Sequence, residues 1–404
     1  MWELIRANRR KSFVLFILMG IGLALLGAAI SYYFNPAGMG IDGITIALVI
    51  WIIMSLVSYY NGAKILLSAS KAKKVTAEVH PQLFNIVEEM KIASSLPAMP
   101  EIYIINEEAP NAFAAGRSPK HAVVAVTAGL LTRLNRDELQ GVIAHEMAHI
   151  YNRDIRFMTL AGVMLGSIVM ISQIFLRGML FTGGGARYRS SNSNSGQGQA
   201  IMMIVALVLA ILVPIFAGML YYAISRKREY LADATGVRFS RYPEGLASAL
   251  EKISGTKIEM KAANDVTAPM YIALPFQKKK KASGLQSTHP PIEERIKILR
   301  SMQGAGFMNY QQAYQDVRGG KGGIIPGSGL KEGDEPGIRK AFEGTGSTGH
   351  KSMKRNTGDL MMAVNNYTFI ECSCGLRIKV PPDYNRKTVS CTRCGTEHKL
   401  SKQL

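Results

Sequence analysis

Four long apolar runs, at about residues 13–34, 44–61, 157–181 and 200–224, constrain this 404-residue chain more than any other feature. Each is close to the ~20 residues that a helix needs to cross a bilayer core. They come in two pairs, so the chain reads as two transmembrane hairpins, with a soluble part smaller than the length suggests. The second run is the shortest and carries Ser55 and Ser58, which also suits a buried helix. Its length and its pairing with the first favour spanning. The first run is too long for a signal peptide, and no small-residue cleavage site clearly follows it.

Basic residues flank these runs on one side. Arg6, Arg9, Arg10 and Lys11 precede the first, and Lys64, Lys71, Lys73 and Lys74 follow the second. Arg153 and Arg156 precede the third, and Arg226, Lys227 and Arg228 follow the fourth. The opposite loops hold Arg177, Arg187 and Arg189. An excess of Lys and Arg marks the cytoplasmic face, so both termini and both soluble halves are expected in the cytoplasm. The net charge of +19 therefore has a membrane explanation before it needs a nucleic-acid one. Lys278 to Lys281 add a basic loop, read as a solvated charge run.

Between the hairpins stands His145-Glu146-Met147-Ala148-His149. On a helix, histidines at i and i+4 share a face and can bind one metal ion, and Glu146 can reach water held at that ion. Helical context is present. Asn135 is suited to N-cap a helix with Glu138 at the third position, and Leu139, Val142, Ile143 and Met147 recur at helical spacing over 136–150. A catalytic zinc usually takes three protein ligands. Glu229 supplies the third in this reading, and Asp233, one turn on, accepts the free N–H of a ligating histidine. Taken alone, these carboxylates also suit an exposed, salt-bridged helix near Arg226 and Lys227. No serine or cysteine sits in a recognisable nucleophile setting. His80, His121 and His350 carry no such pattern.

These residues resemble the HtpX-type membrane metallopeptidases, relatives of the CAAX prenyl endopeptidases among the gluzincins. The resemblance covers roughly residues 1–301. It implies a peptidase domain interrupted by a transmembrane hairpin, with His145, His149 and Glu229 as zinc ligands, Glu146 as general base and Asp233 behind them. It also implies that the segment Ala109-Pro110-Asn111-Ala112-Phe113-Ala114, before an apparent strand at 122–127, offers backbone to an extended substrate. Asn111 alone reads equally as a turn residue after proline. In Thr288-His289-Pro290-Pro291, His289 is the candidate donor to the oxyanion of the tetrahedral intermediate. Arg295 is a candidate for orienting nearby carboxylates and for the substrate side, or else simply pairs with Glu residues. The function implied is hydrolysis of peptide bonds in membrane proteins, as quality control at a bacterial or archaeal inner membrane.

Beyond residue 301 the glycines at 319, 320, 322, 323, 327 and 329 mark a flexible tether running to about 366. Cys372, Cys374, Cys391 and Cys394, all the cysteines of the chain, then form two tight pairs, each followed by glycine. Four thiolates in this pattern read as a structural zinc ribbon, with His398 as a spare ligand. A unit below ~40 residues would need that metal to fold. The expected fold is thus an α-helical membrane protein with four transmembrane helices, an α+β zincin-like cytoplasmic peptidase domain and a small C-terminal β zinc ribbon. The divisions are 1–63, 64–156, 157–224, 225–301, 302–366 and 367–404. Two Zn2+ ions are expected, one catalytic and one structural. Partners are membrane-protein substrates, the lipid bilayer and an unknown ligand of the ribbon. The competing reading is a membrane-anchored scaffold whose ribbon engages a protein or nucleic acid.

Overall fold

The computed structural model describes residues 2–34, 38–181, 196–260, 271–273, 289–320, 322–325, 327, 330, 336–342 and 350–400. Arg187, Arg189 and the Lys278–Lys281 loop lie outside them. The apolar runs build helices α1 (Trp2–Phe34), α2 (Ile41–Ala69), α6 (Asp154–Phe181) and α7 (Gly196–Ser240). Stretches Ile41–Ala69 and Asp154–Gly178 are long and apolar enough to cross a membrane, while Phe16–Tyr32 and Met203–Met219 are shorter apolar helical stretches. α1 packs on α2 and α7, and α6 on α2 and α7. The α1–α2 crossing depends on glycine. A Cβ at Gly43 would stand 2.0 Å from the carbonyl oxygen of Gly27. Ile46, Leu48, Val49, Ile52, Ile53 and Leu56 of α2 are exposed. A soluble core helix would bury them; lipid leaves them stable.

The soluble part is a four-stranded sheet with helices on one face. Strands β1 (Ala72–Lys74), β2 (Glu101–Ile105), β3 (Ala112–Gly116) and β4 (Ala122–Thr127) lie in the order β1-β2-β4-β3, so β3 is an edge. β2 and β4 are parallel, and the other pairs are antiparallel. β4 matches the strand expected at 122–127. Period-2 alternation divides the side chains between two faces. Ala112, Ala114, Val124 and Val126 join the main core, built with α3 (Pro81–Ala93), α5 (Arg136–Tyr151), α8 (Pro243–Gly255) and α9 (Ile292–Arg300). Phe113, Ala115, Val123 and Ala125 pack instead against Phe157, Met158, Ala161 and Met164 of α6. The sheet is therefore seated directly on the apolar helix α6. His80 caps α3, accepting from Leu83 N–H at 3.1 Å.

α5 begins on the expected cap. The Asn135 side chain accepts from Glu138 N–H at 2.9 Å, and Glu138 accepts from Asn135 N–H at 2.8 Å. The helix ends at Tyr151, and Arg153, with φ 60°, turns the chain into α6. α7 is continuous through Pro214. Its 45 residues are ~68 Å long at 1.5 Å per residue, enough to cross a bilayer and continue into the main core.

Within the glycine-rich stretch 302–366 stand two further helices, α10 (Phe307–Val317) and α11 (His350–Val364). Phe307, Tyr310, Ala313 and Tyr314 recur at helical spacing and are buried in the main core. Residues 336–342 form a strap over the start of α5. Arg339 donates to Asp137 Oδ1 at 2.6 Å, Gln140 Oε1 at 2.5 Å and the Ser240 carbonyl at 3.0 Å. It also stacks over Tyr242 and Phe342. α11 packs on α4 (Ala128–Arg133) and leads to hairpins β5–β6 (Thr368–Glu371, Arg377–Val380) and β7–β8 (Thr388–Ser390, Glu397–Lys399).

The strap makes a stability prediction. Arg339→Ala removes charge-assisted hydrogen bonds at a half-buried site and should cost about 1–3 kcal/mol. The full-length protein in detergent should show a lower Tm at unchanged metal content. An unchanged Tm would mean that the strap does not brace α5.

Candidate metal centre

His145 and His149 lie on one face of α5, with ring centroids 4.8 Å apart at an interplanar angle of 87°. α7 brings Glu229 against both. Its Oε2 is 3.6 Å from His145 Nε2, and its Oε1 is 3.4 Å from His149 Nε2. α5 and α7 approach this closely because Gly236 faces α5: a Cβ there would be 2.9 Å from His145 N. Donors set tetrahedrally about 2.0–2.1 Å from a zinc ion are ~3.4 Å from one another. The two separations match that figure, and the three residues form a group able to hold a metal ion.

Each histidine turns its other nitrogen to an acid. His145 Nδ1 is 2.9 Å from Asp233 Oδ1, and His149 Nδ1 is 3.5 Å from Asp154 Oδ2. Both acids meet a buried guanidinium. Arg295 forks onto Asp233, Nε to Oδ2 at 2.8 Å and Nη2 to Oδ1 at 2.6 Å, and its Nη1 is 3.3 Å from Glu229 Oε2. Arg228 Nε is 3.6 Å from Asp154 Oδ1, and its guanidinium lies 3.9 Å from the centre of the Phe157 ring. Four buried carboxylates (Glu146, Glu229, Asp154, Asp233) thus face two buried guanidiniums. A divalent cation held there would balance the difference.

Asp154 and Arg228 are the residues that sequence reasoning did not place in the site. Asp154 is five residues past His149, off its helical face. Only the turn at Arg153 brings it back. His289 stands on the other side of the ligand carboxylate, with Nδ1 2.9 Å from Glu229 Oε2. Arg295 sits behind the ligands and is fully buried against carboxylates. Glu146 is 2 % exposed, and the backbone amide of Ala114 on the edge strand β3 favours its charged form. Asn111, at the head of β3, donates to the Ala273 carbonyl at 2.9 Å.

Burial pushes the Glu146 carboxyl up from its ordinary value, although His145 and His149 oppose the shift. Burial would also raise Glu229, but His289, His145 and His149 hold it well below the usual carboxylate range. For His149, burial works against the charged ring, yet Asp154 and Glu229 raise its pKa to about 10. His145 is raised in the same way: burial is opposed and outweighed by Asp233 and Glu229.

The second cluster is built on two knuckles. Gly375 (φ 80°) and Gly395 (φ 76°) adopt the left-handed turn that follows each cysteine pair. Gly375 N–H donates to Cys372 O at 2.8 Å, and Gly395 N–H to Cys391 O at 2.9 Å. Cys372 Sγ and Cys394 Sγ are 3.4 Å apart, and Cys374 Sγ and Cys391 Sγ 3.6 Å. These distances far exceed a disulfide's ~2.05 Å and approach the ~3.8 Å between thiolates at 2.3 Å from a tetrahedral zinc. The single-residue spacing of Cys372 and Cys374 still brings both into the group of four.

Because the neighbouring carboxylates favour the protonated rings of His145 and His149, acid should compete with an ion at the first centre. Apparent Zn2+ affinity should rise at least tenfold per pH unit between about pH 6 and 8, by release of one or more protons. Competition with a chelator of known affinity measures this. An affinity independent of pH would show that the histidines are not the ligands.

The comparisons with known proteins agree with this chemistry. The sequence model of Peptidase family M48 matches residues 77–303. A "Protease HtpX homolog" of Caldanaerobacter subterraneus subsp. tengcongensis is 44% identical over 302 residues, covering 75% of this chain and 98% of the relative. Another, from Streptococcus gordonii, is 39% identical over 305 residues, 75% of this chain and 100% of the relative. The crystal structure of S. mikatae Ste24p aligns with a TM-score of 0.37 at 19% identity, over 73% of this chain and 66% of that one. With the M48 match spanning the histidine helix, Glu229 and His289, and with relatives matched over nearly their whole length, the chain belongs to peptidase family M48 as a membrane metalloprotease of the HtpX type.

Proposed function

We propose that this metalloprotease is a zinc endopeptidase, anchored by four transmembrane helices, that cuts extended segments of membrane proteins on the cytoplasmic side as part of their quality control. The observation that carries the reading is the grouping of His145, His149 and Glu229 beside Glu146, on a β-sheet whose other face rests on the membrane helices. The basic flanks of the apolar runs support the cytoplasmic orientation.

His145, His149 and Glu229 would hold the zinc. When bound, the ion supplies a Lewis acid that acidifies water and polarises the scissile carbonyl. Glu146 takes the proton from the attacking water and delivers it to the leaving amine. Its raised pKa suits a group that must both accept and return a proton near neutrality. Asp233 and Asp154 fix the tautomers of the two ligating rings, and Arg295 and Arg228 hold those acids. His289 is placed to donate to the developing oxyanion. Asn111 and the edge of β3 align the substrate as an added strand. The cysteine hairpins hold a second, structural zinc and recruit a partner or substrate.

Metal analysis and proteolysis of purified full-length protein test the assignment. Wild type should carry close to two zinc ions, one per ligand group. His145→Ala should lose one, and the Cys391→Ser, Cys394→Ser double variant the other. Glu146→Gln should keep both ions and lose about 10²–10⁴-fold in kcat on a membrane-protein substrate. A Glu146→Gln enzyme as active as wild type would overturn the role of the base.

A further inference from the structure

The edge of β3 that faces Glu146 is already paired, by the chain itself. Ile272 N–H donates to the Ala112 carbonyl at 3.0 Å. The Asn111 side chain closes on the next residue from both directions, Nδ2 donating to Ala273 O at 2.9 Å and Oδ1 accepting from Ala273 N–H at 3.3 Å. Asn111 is itself fixed: its backbone N–H donates to Thr127 Oγ1 at 2.9 Å, its Oδ1 also accepts from Ala112 N–H at 3.1 Å, and its Nδ2 lies 3.5 Å from Met260 Sδ. Tyr271, Ile272 and Ala273 are 0%, 2% and 5% exposed.

The segment bends at this edge, and its side chains divide between two faces. Tyr271 falls on the membrane-side face, its ring 5.4 Å from that of Phe113 at 85° and its hydroxyl donating to Ser70 Oγ at 3.1 Å. Ile272 falls on the opposite face, in the main core with Ala112 and Ala114. Ala112 and Ala114 present their backbone to the same edge, ~7 Å apart along the strand. Ala114 lies on the strand that packs against α5, the helix of Glu146.

We infer that residues 271–273 are a cis-acting pseudosubstrate: they occupy a subsite on the β3 edge adjoining Glu146, and they report the peptide chemistry that it takes. This rests on the endopeptidase reading for its biological sense, but the binding claim stands by itself. An incoming chain must offer a backbone N–H to Ala112 and a peptide group to the Asn111 amide, because it replaces those bonds. It must carry an aromatic residue for the Phe113–Ser70 pocket, followed by an aliphatic one for the Ile272 position. A cis segment competes at the high effective concentration that linkage gives, so folded proteins and poorly fitting peptides are excluded, while unfolded apolar segments displace it.

The test is a binding measurement in the Glu146→Gln background, so no turnover is needed. A fluorescein-labelled unstructured peptide containing Tyr-Ile, and a control with Gly-Gly in its place, are titrated by anisotropy against zinc-loaded, full-length protein in detergent. Ile272→Pro removes the N–H that bonds Ala112 and should tighten Tyr-Ile peptide binding about two- to tenfold. Tyr271→Phe keeps the ring, loses the Ser70 bond and should tighten it about twofold or more. The Gly-Gly peptide should bind at least fivefold more weakly throughout. Zinc content and Tm establish that each variant is folded, and Tyr271→Phe decides if Ile272→Pro is not. Unchanged or weaker binding in the folded variants, or equal binding of the two peptides, would overturn the inference. If binding tightens as expected yet the Glu146 enzyme cleaves nothing, the peptidase reading fails and the pseudosubstrate survives.

Discussion

Taking two imidazoles and four carboxylates out of water is unfavourable unless opposite charge is buried with them. In this protein the compensation is built in layers. Arg295 and Arg228 each neutralise one acid, those acids each orient one histidine, and what remains of the negative charge converges on one point between His145, His149 and Glu229. The parts around this point follow from it. α5 must lie flush against α7, which requires glycine at 236, and α9 must be close enough for Arg295 to reach Asp233 without solvent between them.

The same constraint ties the site to the bilayer. Glu229 arrives on α7, the helix that carries the fourth apolar run, while Asp154 opens α6, the helix that carries the third. Ligand and orienting acid therefore stand at the adjoining ends of two packed apolar helices. The sheet is bolted to this pair through Phe113, Val123 and Ala125, so the distance between the metal centre and the membrane is fixed by packing and not by a linker.

Much of this was legible in the sequence because it is local. The cap at Asn135, the i and i+4 spacing of His145 and His149 and of Glu229 and Asp233, and the strand at 122–127 are periodic features that a short window contains. Asp154 was not legible, since it joins the site only through a left-handed residue at Arg153. Arg228 was counted with the basic flank and proved to be buried among acids. The pairing of 271–273 with Asn111 depends on contacts far apart in sequence. In 302–366, glycine content hid the helical spacing of Phe307, Tyr310, Ala313 and Tyr314.

That last stretch changes how the cysteine hairpins relate to the enzyme. α11 is held on the peptidase domain by Leu360, Met361 and Val364 in the core, by a Thr357–Thr132 hydroxyl bond at 2.8 Å and by Lys73 reaching Asn365. The hairpins follow within a few residues, with strands of three or four residues that are too short to persist alone. The four cysteine sulfurs are grouped closely enough to hold an ion that would fix their shape, whereas their position depends on α11 and its apolar contacts. These two dependences are separable: losing the ion would unfold the hairpins and leave their mounting helix in place. Anything the hairpins bind is consequently presented next to α11, whose Asp359 pairs with Arg377 and Lys379 of the first hairpin and which itself packs on α4.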